Sequence, residues 1–313
     1  MDRILLTDDL GRQGYHGTEI AAMVRHGDLV RLRRGAYLPG PAPSTPVDLR
    51  EQHRRLIHAT LGQSRDGNVV SHMSAGVLHG LPIWSDQLDR VQVIRDRAGG
   101  GRSRRHVVVR GMPLTAGDVE VVDGLPTTTL ARTVVDLACQ LPMRQSVPVG
   151  DAALRMTART APERDLRSEL AEVLDRARRR PGVPTARRAV AFFDPRSESP
   201  GESCSRVLLH EQALPKPDLQ VKVYDDHGYF IARSDFGWIE RRTLGEFDGQ
   251  GKYGALRRPD QTADDVVLDE KAREDRLRDH GWQIARWDWP VLRTPIELRK
   301  RVERAFARAQ PHR

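Results

Sequence analysis

The sequence predicts an α/β chain (α+β overall) that is divided into several small domains. Three observations predict it. Stretches with helical spacing of apolar residues alternate with short stretches in which every second residue is apolar. The length of 313 residues suggests about two domains. Stretches rich in Pro and Gly or in Arg separate four segments, 1–46, 47–141, 142–196 and 197–313.

The composition excludes several classes of protein. With 38% apolar residues the chain is too hydrophobic for wholesale disorder, and no apolar run approaches the roughly 18 residues of a membrane span. We expect no membrane partner and, without a signal-peptide core, a cytoplasmic location. Two cysteines, Cys139 and Cys204, are too few for a disulfide framework or a Cys-based zinc site. The net charge of +8 suits a polyanionic partner.

The first segment, 1–46, reads as helix, tight turn, helix and basic hairpin. Thr7 is an N-cap candidate for the first helix, and Ile20, Met23 and Val24 have helical spacing in the second. Residues 29–38 then alternate apolar and basic side chains like a two-stranded ribbon. This order predicts a winged helix-turn-helix.

A module of this kind suits double-stranded DNA, because a helix fits the major groove and its N-terminal residues face base edges. Arginines on the same module would neutralise phosphates. The predicted contacts are Tyr15, His16, Thr18 and Glu19 to bases, and Arg25, Arg31, Arg33 and Arg34 to phosphates. Two alternatives remain open: a small helical subdomain with a solvated basic hairpin, or a winged helix that contacts protein.

The second segment, 47–141, alternates helical and strand patterns, which predicts a small α/β domain. It contains His72 and His79, seven residues apart. That spacing is not typical of a zinc site, so we interpret both histidines as capping or core residues.

The third segment, 142–196, is Arg-rich and mostly helical, and we interpret it as a linker. Its arginine run consists of Arg176, Arg178, Arg179 and Arg180. We interpret the run as a solvated helix end, where positive charge complements the helix dipole. Contact with a phosphate backbone is the alternative.

The first 140 residues contain several short sequence signatures. They are LLT at 5–7, IAAMVRHGDLVR at 20–31, RGAY at 34–37, SHMSAGVLHGL at 71–81, GLPTT at 124–128 and RTVVDLA at 132–138. Together they resemble AbiEi-type antitoxins, the repressor halves of type IV toxin–antitoxin pairs. The resemblance implies operator binding, autoregulation of transcription and a nucleotidyltransferase-like toxin as partner.

The last segment, 197–313, reads as helix, β-hairpin, strand, long helix, strand and helix, which predicts a mixed sheet with flanking helices. The hairpin turn is indicated by DDHG at 225–228. The final helix begins with TPIE at 294–297, a capping box with Pro at the first helical position.

Several acidic residues of this last segment are candidates for one common site. Asp235 and Glu246 fall on adjacent predicted strands and could bind one Mg²⁺ ion, which would activate water for phosphodiester hydrolysis. Asp248 shares a face with Glu246 because the two are two residues apart on a strand. Glu202, from the opening helix, could complete the cluster. The alternatives are a capping role for Glu202, an ordinary turn at Asp248 and a solvated Asp235.

The residues SPGE at 199–202, Asp235, EFDG at 246–249 and GWQIAR at 281–286 resemble the PD-(D/E)XK nucleases, which have a restriction-endonuclease-like fold. Within these nucleases, the segment most resembles the group of very-short-patch-repair endonucleases. The resemblance implies a metal-dependent DNA endonuclease, with Glu202, Asp235, Glu246 and Asp248 in the catalytic set. That family normally carries Lys where Asp248 stands, and Lys252 or Lys271 could supply the positive charge. Some members keep the fold as an inactive DNA-holding platform.

Three functions follow as hypotheses. The leading one is a DNA-binding transcriptional repressor and antitoxin with a nuclease-fold C-terminal domain. The second is a Mg²⁺-dependent DNA endonuclease that is targeted by its N-terminal half. The third is an antitoxin that acts by protein interaction without catalysis.

Overall fold

The computed structural model describes residues 4–41, 48–63, 67–84, 86, 88–97, 100–249 and 263–309. The chain forms two compact units, and each is discontinuous in sequence. The first unit comprises Met1–Gln140 and Leu166–Ala186, and the second comprises Leu141–Asp165 and Arg187–Arg313. Both units combine helices with β-sheet, so the predicted α/β class is confirmed.

The first unit begins with two short helices and a small antiparallel sheet. The elements are β1 (Leu5–Leu6), α1 (Thr7–Arg12), α2 (Gly17–His26), β2 (Leu29–Arg33) and β3 (Ala36–Pro39), with the strand order β1-β3-β2. Leu10, Ile20 and Leu29 pack together as the core of this part. The second helix ends at Gly27, whose φ of 85° suits a residue without a side chain.

A six-stranded mixed sheet forms the rest of the first unit. Its elements are α3 (Leu49–Leu61), β4 (Asn68–Val70), α4 (His72–Leu78), β5 (Val91–Asp96), β6 (Gly101–Arg104), β7 (Val107–Met112), β8 (Val119–Val122), β9 (Leu125–Thr128) and α5 (Leu130–Gln140). The strand order is β6-β7-β5-β4-β9-β8. Ile57, Val70 and Val93 lie in its core. The segments 1–46 and 47–141, predicted as separate domains, therefore fall within one unit.

The segment predicted as a linker, 142–196, is instead shared between the two units. It forms α6 (Met143–Thr160), which belongs to the second unit, α7 (Leu166–Arg176), which belongs to the first, and α8 (Val183–Phe192), which continues from one to the other. Each of these helices contributes buried apolar residues, such as Leu170 of α7 and Ala153 of α6. The segment is thus part of both cores.

Two arginines of the predicted run form ion pairs within the first unit. Arg176 donates to Asp118 at 3.0 Å, and Arg180 donates to Asp136 at 2.6 Å. Both carboxylates are buried and also bind Arg132. Arg178 and Arg179 are exposed. The run is therefore only partly a solvated helix end, because Arg176 and Arg180 neutralise buried carboxylates.

The second unit is built on a four-stranded mixed sheet. Its remaining elements are α9 (Pro200–Glu211), β10 (Asp218–Tyr224), β11 (Phe230–Trp238), β12 (Thr243–Asp248), α10 (Ala263–Asp279), β13 (Gln283–Asp288), α11 (Trp289–Leu292) and α12 (Pro295–Arg308). The strand order is β10-β11-β12-β13, in which only β12 and β13 are parallel. Leu277 of α10 packs with Ile231 and Leu244 of the sheet. The element order agrees with the predicted helix, hairpin, strand, helix and strand.

Helix α9 lies directly against β12 because a glycine stands at the contact. A Cβ atom on Gly201 would lie 2.0 Å from the ring of Phe247, so no other residue fits there without a shift. This close approach positions the neighbouring residue, Glu202, at the sheet. Across the described ranges, no helix has the length and apolarity that crossing a bilayer requires.

Candidate functional site

The residues predicted to read DNA bases stand at the start of α2. Tyr15, His16 and Thr18 are exposed there, and Tyr15 is 40% accessible. Glu19 has a different role: its Oε2 atom accepts a hydrogen bond from the backbone N–H of His16 at 2.7 Å. This carboxylate therefore caps the helix, which leaves Tyr15, His16 and Thr18 as the available side chains.

The four arginines predicted to contact phosphate divide into two groups. Arg25, Arg31 and Arg34 are exposed, and none of them forms an ion pair with another described residue. Arg33 is partly buried, and its Nη1 donates to Thr60 Oγ1 within the first unit. Burial lowers the pKa of Arg33. Three of the four predicted arginines are thus accessible to a ligand, and Arg33 serves packing.

The two histidines of the second segment are structural, as interpreted from their spacing. His72 is fully buried, and its Nδ1 lies 2.9 Å from Ser71 Oγ. Burial lowers its pKa to about 4, so the ring is neutral at pH 7. His79 Nε2 lies 2.8 Å from the backbone oxygen of Thr128. Both rings are therefore held by neighbouring atoms of the same unit.

In the second unit, Glu202 caps α9. Its backbone N–H donates to Ser199 Oγ at 3.2 Å, and its Oε2 accepts from the backbone N–H of Glu198 at 2.8 Å and from Gln220 Nε2 at 2.9 Å. The side chain is buried. Burial raises the pKa of Glu202, and the negative charge of Asp235 raises it further. Glu202 and Asp235 are therefore electrostatic neighbours.

Asp235 and Glu246 lie on neighbouring strands, as predicted. The pair Phe236↔Gly245 of the antiparallel β11–β12 register brings the two acidic positions next to each other. Asp235 Oδ2 accepts a hydrogen bond from the backbone N–H of Phe247 at 2.9 Å. Asp235 thus ties the two strands together at the point where the acidic residues meet.

Glu246 is bound by two arginines. Arg286, its register partner on β13, donates from Nε to Oε2 at 3.1 Å. Arg273 of α10 donates from Nη2 to Oε1 at 3.1 Å and to Oε2 at 3.3 Å. Neither arginine belongs to the catalytic set that the sequence predicts. The opposite charges at matching positions of two predicted strands were the one available signal, and it concerned Arg286 only.

The remaining predicted catalytic residues are Asp248, Lys252 and Lys271. Asp248 and Lys271 are exposed, and Lys252 lies outside the described residues. The positive charge at Glu246 comes from Arg273 and Arg286 instead of Lys271.

In this arrangement Glu246 is engaged by arginines and does not present a free carboxylate to a Mg²⁺ ion. Mg²⁺ binds through carboxylate oxygens and retains several waters. Both oxygens of Glu246 already accept hydrogen bonds from guanidinium groups. In the part of the chain that the structure describes, no three His, Cys, Asp or Glu side chains are arranged to hold a metal. The geometry is that of a neutralised acidic residue in a sheet.

Comparison with known proteins finds relatives along most of the chain. No family model matches it. Two proteins of Mycobacterium tuberculosis are 31% identical over 298 residues, which cover 93% of this chain and 97% of each relative. They are the uncharacterized proteins Rv2248 of strain H37Rv and MT2308 of strain CDC 1551. The chain belongs to the Rv2248 family.

One solved structure resembles this member of the Rv2248 family only weakly. The crystal structure of the RV2827C protein from Mycobacterium tuberculosis aligns with a TM-score of 0.39 and 16% identity, over 71% of this chain and 83% of that one. A likeness at this level carries no inference about function. The two regions described above, around α2 and around Glu246, are therefore interpreted from their own chemistry.

Proposed function

We propose that the protein binds double-stranded DNA through residues 4–41 and acts as a transcriptional repressor and antitoxin. One observation carries the proposal: Arg25, Arg31 and Arg34 are exposed without ion pairs to other described residues, on the same small module as the exposed start of α2. Unpaired guanidinium groups on a small folded module can neutralise phosphates and fix its orientation on a duplex. Tyr15, His16 and Thr18 would then read base edges.

The module is rigid enough for this role because Leu10, Ile20 and Leu29 hold its helices on its sheet. The capping bond from His16 to Glu19 fixes the first turn of α2. A helix held at its N-terminus presents that end in a defined geometry, which sequence reading requires.

The test is duplex binding by the full chain, measured by fluorescence anisotropy over a salt series. One duplex carries the DNA upstream of the protein's own gene, and a second is its scrambled version. We expect tighter binding to the upstream duplex. Equal affinity for both duplexes would contradict the proposed role as a repressor, because phosphate contacts alone give non-specific, salt-sensitive binding.

Two sets of variants separate phosphate contacts from base contacts. The triple variant Arg25→Gln, Arg31→Gln, Arg34→Gln should reduce the slope of log affinity against log salt by about 2.7, at about 0.9 per phosphate contact. Thr18→Ala should reduce discrimination between the duplexes with little change in slope. Exposed arginines of α12, changed together as Arg304→Gln and Arg308→Gln, are the control and should leave both quantities unchanged.

The antitoxin part of the proposal concerns a protein partner. A nucleotidyltransferase-like toxin encoded next to this gene should co-purify with the chain, or be neutralised through repression when both are expressed. The antitoxin role would be contradicted if the neighbouring gene is of an unrelated type and co-expression has no effect on growth. The DNA-binding role would not be affected by that result.

The Mg²⁺-dependent endonuclease is less well supported, because Glu246 is engaged by Arg273 and Arg286. It can be tested directly by plasmid nicking with Mg²⁺ or Mn²⁺. The parent is compared with the double variant Asp235→Asn, Glu246→Gln. Cleavage by the parent alone would establish the endonuclease, and equal background in both would exclude it.

A further inference from the structure

The second unit contains an open, basic cleft that the proposed function does not use. Its volume is about 670 Å³, and it is lined by Arg155, Arg159, Pro195, Arg196, Glu198 and Gln220. Three of these six lining residues are arginines and one is acidic. All six belong to the second unit, so the cleft is independent of the module at residues 4–41.

Two of the arginines lie side by side on one helix. Arg155 and Arg159 are four residues apart near the end of α6, so their side chains lie on the same face. Neither forms an ion pair within the described ranges. Arg155 Nη1 donates to the backbone oxygen of Ser197, a neutral acceptor that orients the guanidinium without cancelling its charge. Arg159 is exposed.

The other charges of the cleft are already paired. Glu198 accepts two hydrogen bonds from Arg233, at 2.9 and 2.8 Å. Arg196 donates to Asp194 from Nε at 3.1 Å and from Nη2 at 2.8 Å. Each of these pairs is close to neutral, so the positive charge that remains in the cleft comes from Arg155 and Arg159.

We propose that this cleft binds the phosphate backbone of double-stranded DNA, as a second contact on the unit that does not carry the α2 module. Guanidinium groups match phosphate oxygens geometrically and stay charged at all relevant pH values. Two of them one helical turn apart suit a row of phosphates better than a single small anion.

The experiment uses the full chain in the background Arg25→Gln, Arg31→Gln, Arg34→Gln, which removes the proposed N-terminal phosphate contacts. Binding of a 20-base-pair duplex of arbitrary sequence is measured by anisotropy from low to physiological salt. Adding Arg155→Gln and Arg159→Gln should weaken the residual binding about tenfold at low salt and reduce the salt slope by about 1.8. Arg304→Gln on α12 is the matched control from the same unit.

Because Arg155 also binds Ser197, the single variant Arg159→Gln is measured in parallel. Its side chain is exposed, so folding is expected to be unchanged, and the slope should fall by about 0.9. A slope equal to that of Arg304→Gln would overturn the proposal. So would full displacement of the duplex by millimolar inorganic phosphate, which would assign the cleft to a free anion.

One more outcome separates this inference from the proposed function. A parent chain that binds DNA while the triple-variant background binds none would overturn the second contact and leave the N-terminal DNA-binding role intact. Residual binding that depends on Arg159 supports the second contact even where the upstream duplex is not preferred.

Discussion

Arg286 Nε donates to Glu246 Oε2 at 3.1 Å across the parallel strands β12 and β13. Arg273 of α10 holds the same carboxylate, so a strand pair and a helix meet at one buried acidic residue. Glu246 is 7% exposed. A carboxylate so deeply buried is tolerated only with charged partners, because an unpaired buried charge is costly.

This cluster predicts a stability effect that is independent of any catalysis. Glu246→Gln should lower the free energy of unfolding by about 2–4 kcal/mol, because two arginines lose their shared carboxylate. Urea unfolding followed by tryptophan fluorescence measures it. Asp248→Asn is the control: it lies two residues further along and is exposed, so a change within about 0.5 kcal/mol is expected. Equal effects of both substitutions would contradict the structural role.

His72 predicts a dependence of stability on pH. Its pKa is about 4 in the folded chain and near 6.5 when unfolded, because burial disfavours the charged ring. The unfolded chain therefore binds the extra proton between these values. The stability that the neutral ring contributes is present above pH 6.5 and is lost as the pH falls towards 4.

The variant His72→Asn isolates this effect. Asn tolerates the positive φ of 51° at this position and does not titrate. Relative to the variant, the parent should lose up to about 3 kcal/mol between pH 6.5 and 4. His106→Asn changes an exposed histidine and should follow the parent curve. Parallel curves for parent and His72→Asn would show that His72 is not buried in its neutral form.

A side chain at position 201 should cause a packing defect beside Glu202 and Glu246. In Gly201→Ala, the new Cβ would lie 2.0 Å from the ring of Phe247, which must move against Trp289. Overpacking of this kind costs about 1–3 kcal/mol. Thermal unfolding and the tryptophan emission maximum report it. Gly117→Ala meets nothing within 4 Å and serves as the control.

The order of elements in residues 197–313 could be predicted because helical and strand periodicity are local properties of the sequence. The capping alternative for Glu202 could be predicted for the same reason, from its spacing to Ser199. The contact of Arg273 with Glu246 could not be predicted in this way. Arg273 reaches that carboxylate from a helix, and only tertiary packing sets which helical face meets the sheet.

The same limit applies to the arginine run of the third segment. Arg132 and Asp136 are four residues apart on α5, so their ion pair is visible in the sequence. Arg180 is 44 residues beyond Asp136, and nothing local indicates that the two meet. Side chains of one charge in a row favour a solvated surface, so the sequence alone predicts a solvated helix end.

The interleaved composition of the two units affects how the protein is made. When Gln140 leaves the ribosome, Asp118 and Asp136 have been synthesised, but Arg176 and Arg180 have not. The first unit can therefore complete its fold only after helix α6 of the second unit has been translated. Expression of residues 1–140 alone would yield a fragment in which Arg132 is left to neutralise both Asp118 and Asp136, and we expect it to be prone to degradation or aggregation.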